Sequence, residues 1–273
     1  METVFLVIAT TCYFCGMVGY QIYLLRSEEV IHRAAWTALL AGAAAHGVAI
    51  ALRSIEEGRL AVTPSPQALS FFTWILVLAY LILQPRVGLR ILGSFVSPLA
   101  VGFMLISSIL PESIIPQSGV LKSGWVVLHV AALFAANAIF ALAFCAGVMY
   151  LLQERQIKKK QFGFFFPRLP SLERLDKVNH TCLITGFPLM TLGLVAGFAY
   201  AGAAWRTPWS WDPKEIFASA TWLIYAVLLH ERLAVGWRGR RAAWLAIIGF
   251  IAVLITFLGV NLFLKGRHTA FVG

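Results

Sequence analysis

Residues 124–152 read GWVVLHVAALFAANAIFALAFCAGVMYLL and carry no charged side chain. A helix of about 20 apolar residues is long enough to span the hydrocarbon core of a bilayer. Lipid offers no partner to backbone N–H and C=O groups, so only helices and closed barrels cross it. This stretch therefore predicts a transmembrane helix.

Similar apolar runs occur along the whole chain. Of its 273 residues, 60% are hydrophobic and 12% are charged, whereas a soluble domain is about 45–50% apolar and about 25% charged. The N-terminus METVFLVIAT has neither a basic segment nor a cleavage site after it, so we expect a membrane span rather than a signal peptide. The sequence predicts an all-α, polytopic membrane protein with about eight transmembrane helices, forming a single integral membrane domain over residues 1–273. The other seven predicted spans are 3–25, 34–52, 68–84, 92–110, 180–203, 214–233 and 242–264.

The basic residues predict the orientation. Fifteen of the 22 Lys and Arg residues lie in one set of alternate loops and seven in the other, and the richer set is expected to be cytoplasmic. Both termini then lie on the extracytoplasmic side, as does the tryptophan-rich loop 204–215. The net charge of +10 is explained by this asymmetry, so no nucleic acid partner is expected.

Segment 153–178 is predicted to be a basic cytoplasmic loop. Three lysines at 158–160 precede the aromatic sequence FGFFFPRLP. Such a stretch is typical of a surface that lies on anionic membrane lipids, although contact with a cytoplasmic partner is an alternative.

The sequence WRTPWSWDPKE, residues 205–215, has a local structural interpretation. Asp212 is a suitable N-cap, Pro213 fits the first helical position, and Glu215 completes the pattern of a capping box. These residues can therefore start a helix without having any further role.

Two interpretations apply to Trp205, Trp209 and Trp211 in this loop. Tryptophan is enriched at membrane interfaces, so the three rings can form an aromatic belt. Alternatively, they form a flat apolar platform for a large planar aromatic ligand.

Three of the six histidines are candidate metal ligands. His129 and His268 are predicted to lie near the outer face with loop 204–215, where two imidazoles beside an aromatic surface suit axial ligation of haem iron. His230 is predicted to lie within a span near its cytoplasmic end, and ionisable residues there are functional candidates. Cys12 and Cys15 have redox spacing, but no histidine follows them, and we expect small cysteines packed at a helix interface.

Three segments resemble one known family. WSWDPKEIFASATWLIYAVLLHERL (209–233) resembles the tryptophan-rich WWD signature of the CcsA/ResC proteins of system II cytochrome c biogenesis, which are distantly related to CcmC. LGVNLFLKGRHTAF (258–271) resembles the family's C-terminal segment, and GWVVLHVAALFAANAIFALAF (124–144) resembles its helix with an external histidine. The resemblance extends over about 120–273 and is weaker over 1–110.

The resemblance implies export of haem b and its covalent attachment to the CxxCH motif of apocytochromes c. His129 and His268 are then the external axial ligands, and Asp212 and the three tryptophans of the loop bind the haem. His230 resembles the family's intramembrane haem ligand, whose opposing ligand belongs to a CcsB-type subunit. The family implies synthase activity together with that subunit, a thiol-reducing partner, and a place in the bacterial cell membrane.

The sequence departs from the family pattern at three places. Arg206 replaces a usual glycine, Phe217 stands where tryptophan is common, and Thr-Ala-Phe follows His268 where Ser-Tyr-Gly is frequent. Arg206, Lys265 and Arg267 are able to pair with haem propionates. The alternative to a synthase subunit is a non-catalytic haem-binding protein of the HemX type that regulates tetrapyrrole synthesis.

Overall fold

The computed structural model describes residues 1–62, 65–111, 124–160, 163–205, 207 and 209–259, with the backbone alone at 65, 203–205 and 258. The described residues form eight α-helices, and no strand occurs among them. In chain order the helices are α1 (Glu2–Arg26), α2 (Glu29–Glu57), α3 (Ser65–Val87), α4 (Gly93–Ile109), α5 (Gly124–Lys158), α6 (Leu172–Trp205), α7 (Pro213–Leu233) and α8 (Arg240–Leu254).

The predicted all-α membrane fold is confirmed. In the part of the chain that the structure describes, eight helices are long and apolar enough to cross a membrane. Many of their large apolar side chains point away from the helix contacts, as in α1, where Val4, Val7 and Phe14 are exposed. Such side chains are suited to contact with lipid. The side on which the termini lie stays a prediction.

Residues Met1–Ser113 and Arg155–Pro170 form one compact unit. Its core contains three fully buried tyrosines, of which Tyr80 donates a hydrogen bond to the Tyr20 hydroxyl at 2.6 Å. Tyr13 bonds to Nδ1 of buried His46 at 3.2 Å, and His46 Nε2 lies 2.8 Å from Ser70 Oγ. The buried side chains of Tyr13, His46 and Ser70 thereby pair polar groups of α1, α2 and α3 with one another.

Residues Ile114–Glu154 and Ser171–Gly273 form the second unit, which contains the candidate site. At its centre Phe140 of α5 stacks on Tyr225 of α7, with ring centroids 3.6 Å apart and planes at 10°. Trp222 packs on Phe187, and its indole N–H donates to Thr191 Oγ1 at 2.9 Å. Aromatic packing of this kind holds α5, α6 and α7 together.

Several boundaries differ from the sequence prediction. Helices α5 and α6 extend through Lys158 and from Leu172, so both ends of segment 153–178 are helical. After α8 the chain forms a π-helical turn over Ile255–Gly259. Cys12 is half-buried and Cys15 is exposed, so the expectation that both pack inside a helix interface is wrong for Cys15.

A close contact between α5 and α8 depends on the absence of a side chain at Gly147. A Cβ atom there would lie 2.9 Å from the backbone oxygen of Ala243. Helices in membranes rely on such small residues for close packing, because hydrophobic burial does not drive their association in lipid.

We expect Gly147→Ala to lower the stability of the protein in detergent by about 1–3 kcal/mol, because a backbone oxygen cannot move aside cheaply. The measurement is the midpoint of thermal unfolding, detected as the loss of the monodisperse peak in size-exclusion chromatography. Gly102→Ala is the matched control: its Cβ meets no atom within 4 Å, so its midpoint stays the same or rises. Equal losses in the two variants would contradict the proposed packing.

Candidate functional site

The tryptophan-rich loop leads from the end of α6 at Trp205 to the start of α7 at Pro213. Asp212 is the N-cap of α7, and its Oδ1 accepts a hydrogen bond from the Lys214 N–H at 2.9 Å. Glu215 Oε2 accepts one from the Asp212 N–H at 3.3 Å, which completes the capping box. The predicted local role of Asp212, Pro213 and Glu215 is thus confirmed.

Glu215 does more than cap the helix. Its carboxylate also accepts hydrogen bonds from the Ser210 N–H at 2.8 Å and from the Ser210 hydroxyl at 2.9 Å. The carboxylate is almost fully buried and contacts the residues on both sides of Trp211. The sequence analysis missed this role of Ser210, because a serine two residues before an N-cap is not part of the capping-box pattern.

The rings of Trp209 and Trp211 are not coplanar. Trp209 packs on Phe198 of α6 at 5.8 Å and meets Trp211 edge-on at 5.6 Å, with the two planes at 86°. The predicted flat platform is therefore wrong for Trp209 and Trp211. The side chain of Trp205 lies outside the described residues.

His129 lies in α5 against the same part of α6. Its Nδ1–H donates to the carbonyl oxygen of Gly193 at 2.7 Å. Because a carbonyl only accepts, Nδ1 carries a proton, and in the neutral imidazole the lone pair is then on Nε2. A histidine that binds a metal through one nitrogen commonly donates its other N–H to such a carbonyl.

A glycine of α6 makes room for this imidazole. A Cβ atom at Gly197 would lie 2.5 Å from both Nδ1 and Cε1 of His129. Gly193 and Gly197 form a G-x-x-x-G pattern, which is a signal for close helix packing in membranes that the sequence analysis did not use. Phe198, the next residue, contacts Trp209, so α6 connects the imidazole to the tryptophan-rich loop.

The segment that precedes His268 is attached to α7. Thr256, in the π-helical turn, lies 2.9 Å from the Thr221 hydroxyl. Its own hydroxyl donates to the backbone oxygen of Ala252 at 2.8 Å and lies 3.3 Å from that of Phe217. His268, Lys265, Arg267 and Arg206 lie outside the described residues, so their predicted roles stay predictions.

His230 lies at the other end of α7. Seventeen residues separate it from Pro213, which corresponds to about 25 Å along the helix. It is exposed, and so are Leu223 and Val227, which share its face of α7. An imidazole in line with an exposed apolar stripe is accessible to a partner or a ligand within the membrane.

A buried ion pair fixes the helix beside His230. Arg232 has a side chain that is only 5% exposed, and it forms a two-pronged contact with Asp176 of α6 at 3.2 and 2.7 Å. Its Nε also donates to His180 Nδ1 at 3.0 Å. Asp176 further accepts from the Gly239 N–H at the start of α8. One carboxylate therefore connects three helices, which the sequence analysis did not anticipate.

Comparison with known proteins identifies the family. Residues 62–268 match the family model of the cytochrome c assembly proteins. The chain is 33% identical over 241 residues to the cytochrome c biogenesis protein CcsA of Guillardia theta, covering 81% of this chain and 80% of that one. The chain belongs to the CcsA family of cytochrome c assembly proteins. Its resemblance to this family is thus confirmed, and it is a multi-pass membrane protein with a role in cytochrome c biogenesis.

Other similarities agree with this family. CcsA of Synechococcus elongatus is 31% identical over 262 residues, covering 80% of this chain and 81% of the relative, and CcsA of Porphyra purpurea is 31% identical over 242 residues, covering 74% and 76%. The relatives include plastid as well as bacterial proteins. A solved structure of the cytochrome c haem lyase CcmF shares the fold, with a TM-score of 0.64 and 15% identity over 97% of this chain. The chain spans about half the length of that protein, at 49%.

We expect Asp176→Asn to destabilise the protein by about 3–5 kcal/mol, because it leaves the buried Arg232 guanidinium without a counter-charge. The measurement is the unfolding midpoint in detergent. Glu173→Gln is the matched control, since Glu173 lies exposed in the first turn of the same helix. A midpoint of Asp176→Asn equal to that of the control would show that the ion pair contributes nothing.

Proposed function

We propose that this CcsA-family protein presents haem b at the outer face of the membrane and attaches it covalently to apocytochromes c. The observation that carries the proposal is the imidazole of His129, whose Nδ1–H is held by the Gly193 carbonyl. Its Nε2 lone pair is the form that binds haem iron. Phe198 and Trp209 connect the adjacent turn of α6 to the tryptophan-rich loop.

His268 is the second external ligand in this proposal. Two histidine ligands would hold the iron and leave the vinyl groups of the haem free to react. The perpendicular rings of Trp209 and Trp211 would contact the porphyrin, and Trp205 would complete the surface. Asp212 acts by holding the start of α7, since its Oδ1 accepts the Lys214 N–H.

The covalent step needs only haem and two reduced cysteines. In each thioether bond, the sulfur of a CxxCH cysteine joins a vinyl carbon, and the thiol proton goes to the neighbouring vinyl carbon. A thiol-reducing partner is required because a disulfide cannot add in this way. The protein's contribution is to hold the haem in one orientation, which is how positioning accelerates a reaction between two bound groups.

His230 forms an inner haem site in this proposal. It is exposed in line with Leu223 and Val227, so a helix of a CcsB-type subunit can supply the opposing ligand across this face. Haem enters here from the cytoplasmic side and then moves to the outer site. The synthase activity accordingly requires both subunits.

In this proposal the protein lies in a bacterial cell membrane, with the orientation that the distribution of its basic residues predicts. Loop 204–215 and both termini face outward, and segment 153–178 faces the cytoplasm. At the latter, Arg168 lies over the Phe164 ring at 4.1 Å, and this aromatic and basic surface rests on anionic lipid headgroups.

We expect the wild-type protein, purified in detergent from haem-rich cells, to show a Soret band with sharp α and β bands after dithionite. The His129→Ala/His268→Ala double variant loses most of this absorption, because the external iron loses both ligands. Haem that remains in the double variant is bound by His230, and it is lost when His230→Ala is added. A wild-type protein without a Soret band would overturn the haem proposal.

A second variant of the same experiment leaves every histidine in place. Gly197→Ala puts a methyl group within 2.5 Å of the imidazole of His129, so it weakens the external haem signal. Gly102→Ala, which meets no neighbour, leaves the signal unchanged. Unaltered spectra in Gly197→Ala would argue against His129 as a ligand.

Covalent attachment distinguishes a synthase subunit from a non-catalytic haem-binding protein. The chain is co-expressed with a CcsB-type subunit and a reporter cytochrome that carries one CxxCH motif, in cells without other attachment systems. We expect haem that stays on the reporter after denaturing electrophoresis, and none with the double histidine variant. Haem bound to the membrane protein without any labelled reporter would favour a regulatory role of the HemX type.

A further inference from the structure

Trp211 has an unusual backbone conformation. Its φ is +57°, and the only other described non-glycine residues with positive φ are Ser27 and Lys160. This left-handed region is unfavourable for a bulky L-residue, because Cβ crowds the following carbonyl. Such conformations persist only where the surrounding structure enforces them, and they cluster at functional sites.

The surrounding structure that enforces it is the carboxylate of Glu215. Three hydrogen bonds reach this carboxylate from the two neighbours of Trp211: the Ser210 N–H at 2.8 Å, the Ser210 hydroxyl at 2.9 Å and the Asp212 N–H at 3.3 Å. Hydrogen bonds to a carboxylate are stronger than neutral ones. Ser210 and Asp212 are thereby bonded to the same carboxylate, so the backbone has to bend at Trp211, which lies between them.

Helix capping alone does not account for these contacts. A capping box needs the bond from the N-cap N–H of Asp212 and the bond from Lys214 to Asp212. Both bonds to Ser210 are additional, and Ser210 lies outside the helix. They fix the loop, whereas the helix start does not need them.

The result is a projecting indole. Trp211 is 75% exposed, more than Trp125 at 58% or Trp244 at 48%. It still meets Trp209 edge-on at 5.6 Å, so its ring is held away from the protein and keeps a defined orientation.

We infer that Glu215 is a positioning residue, which holds Trp211 in its left-handed conformation so that the indole stands ready to contact haem at the outer site. This inference rests on the proposed function, because it assigns a part of the same haem surface. A surface that is ordered before its ligand arrives does not lose conformational entropy on binding. Removing hydrogen bonds to the Glu215 carboxylate therefore weakens haem retention without removing any group that contacts haem.

The test uses four variants of the full-length protein. Ser210→Ala removes one hydrogen bond to Glu215 and leaves the helix cap intact, and Ser210→Thr keeps the hydroxyl as the matched control. Glu215→Ala removes all three bonds. Glu215→Gln is the conservative variant, because its amide oxygen still accepts both N–H groups and its amide N–H meets the Ser210 hydroxyl.

Two quantities are measured in each variant. The first is the ¹⁹F resonance of Trp211 in haem-free protein labelled with 5-fluorotryptophan, assigned by its absence from Trp211→Phe. The second is the rate at which haem leaves the protein for an excess of apomyoglobin. We expect a shifted or broadened resonance in both alanine variants. Haem release should be faster by about threefold in Ser210→Ala, which is in the range for a typical net hydrogen bond, and by about tenfold or more in Glu215→Ala, which approaches the range for lost bonds to a charged group. Ser210→Thr and Glu215→Gln stay close to wild type.

The outcomes separate the inference from the proposed function. An unchanged Trp211 resonance in both alanine variants overturns the inference, since Glu215 then does not hold the indole. A changed resonance with wild-type haem release also overturns it, provided that Trp211→Ala itself accelerates release. A wild-type protein that binds no haem, or that holds it equally well after Trp211→Ala, overturns the haem surface in the proposed function and the inference with it.

Discussion

Hydrocarbon provides no hydrogen-bond partner, and this constraint determines where the chain is regular and where it is not. Every peptide group within the bilayer must be bonded inside its own helix. Side-chain hydroxyls follow the same rule: Thr10, Thr73 and Thr191 donate to carbonyls four residues earlier in their own helices. Among the described residues, the positive φ angles lie at helix ends or between helices, and Trp211 is one of those residues.

The same constraint makes close packing, rather than hydrophobic burial, the means by which helices associate. Glycines therefore have two uses in the second unit. Gly147 lets α8 approach α5, whereas Gly197 admits the imidazole of His129. One class of small residue thus builds both the scaffold and the recess for a functional side chain.

Much of the fold could be predicted from sequence, because apolar runs and capping residues act locally. The eight spans and the cap at Asp212 depend on neighbours in the chain, which a single sequence displays. The perpendicular rings of Trp209 and Trp211 could not be predicted, since they follow from the backbone conformation that Glu215 enforces. The contact of Arg232 with Asp176 joins residues 56 positions apart, and no local pattern signals such a pair.

The π-helical turn over Ile255–Gly259 holds one residue more than a regular helix needs at this place. A π turn contains one more residue than an α turn closed by the same type of backbone bond. Deleting one residue from it would therefore restore an α-helix and leave whatever follows at nearly the same angle around the helix axis. Thr256, which lies 2.9 Å from the Thr221 hydroxyl of α7, is the residue that such a deletion has to spare. This segment is thus better suited to the loss of a residue than any turn of the regular helices, where a deletion rotates the next residues by about 100°.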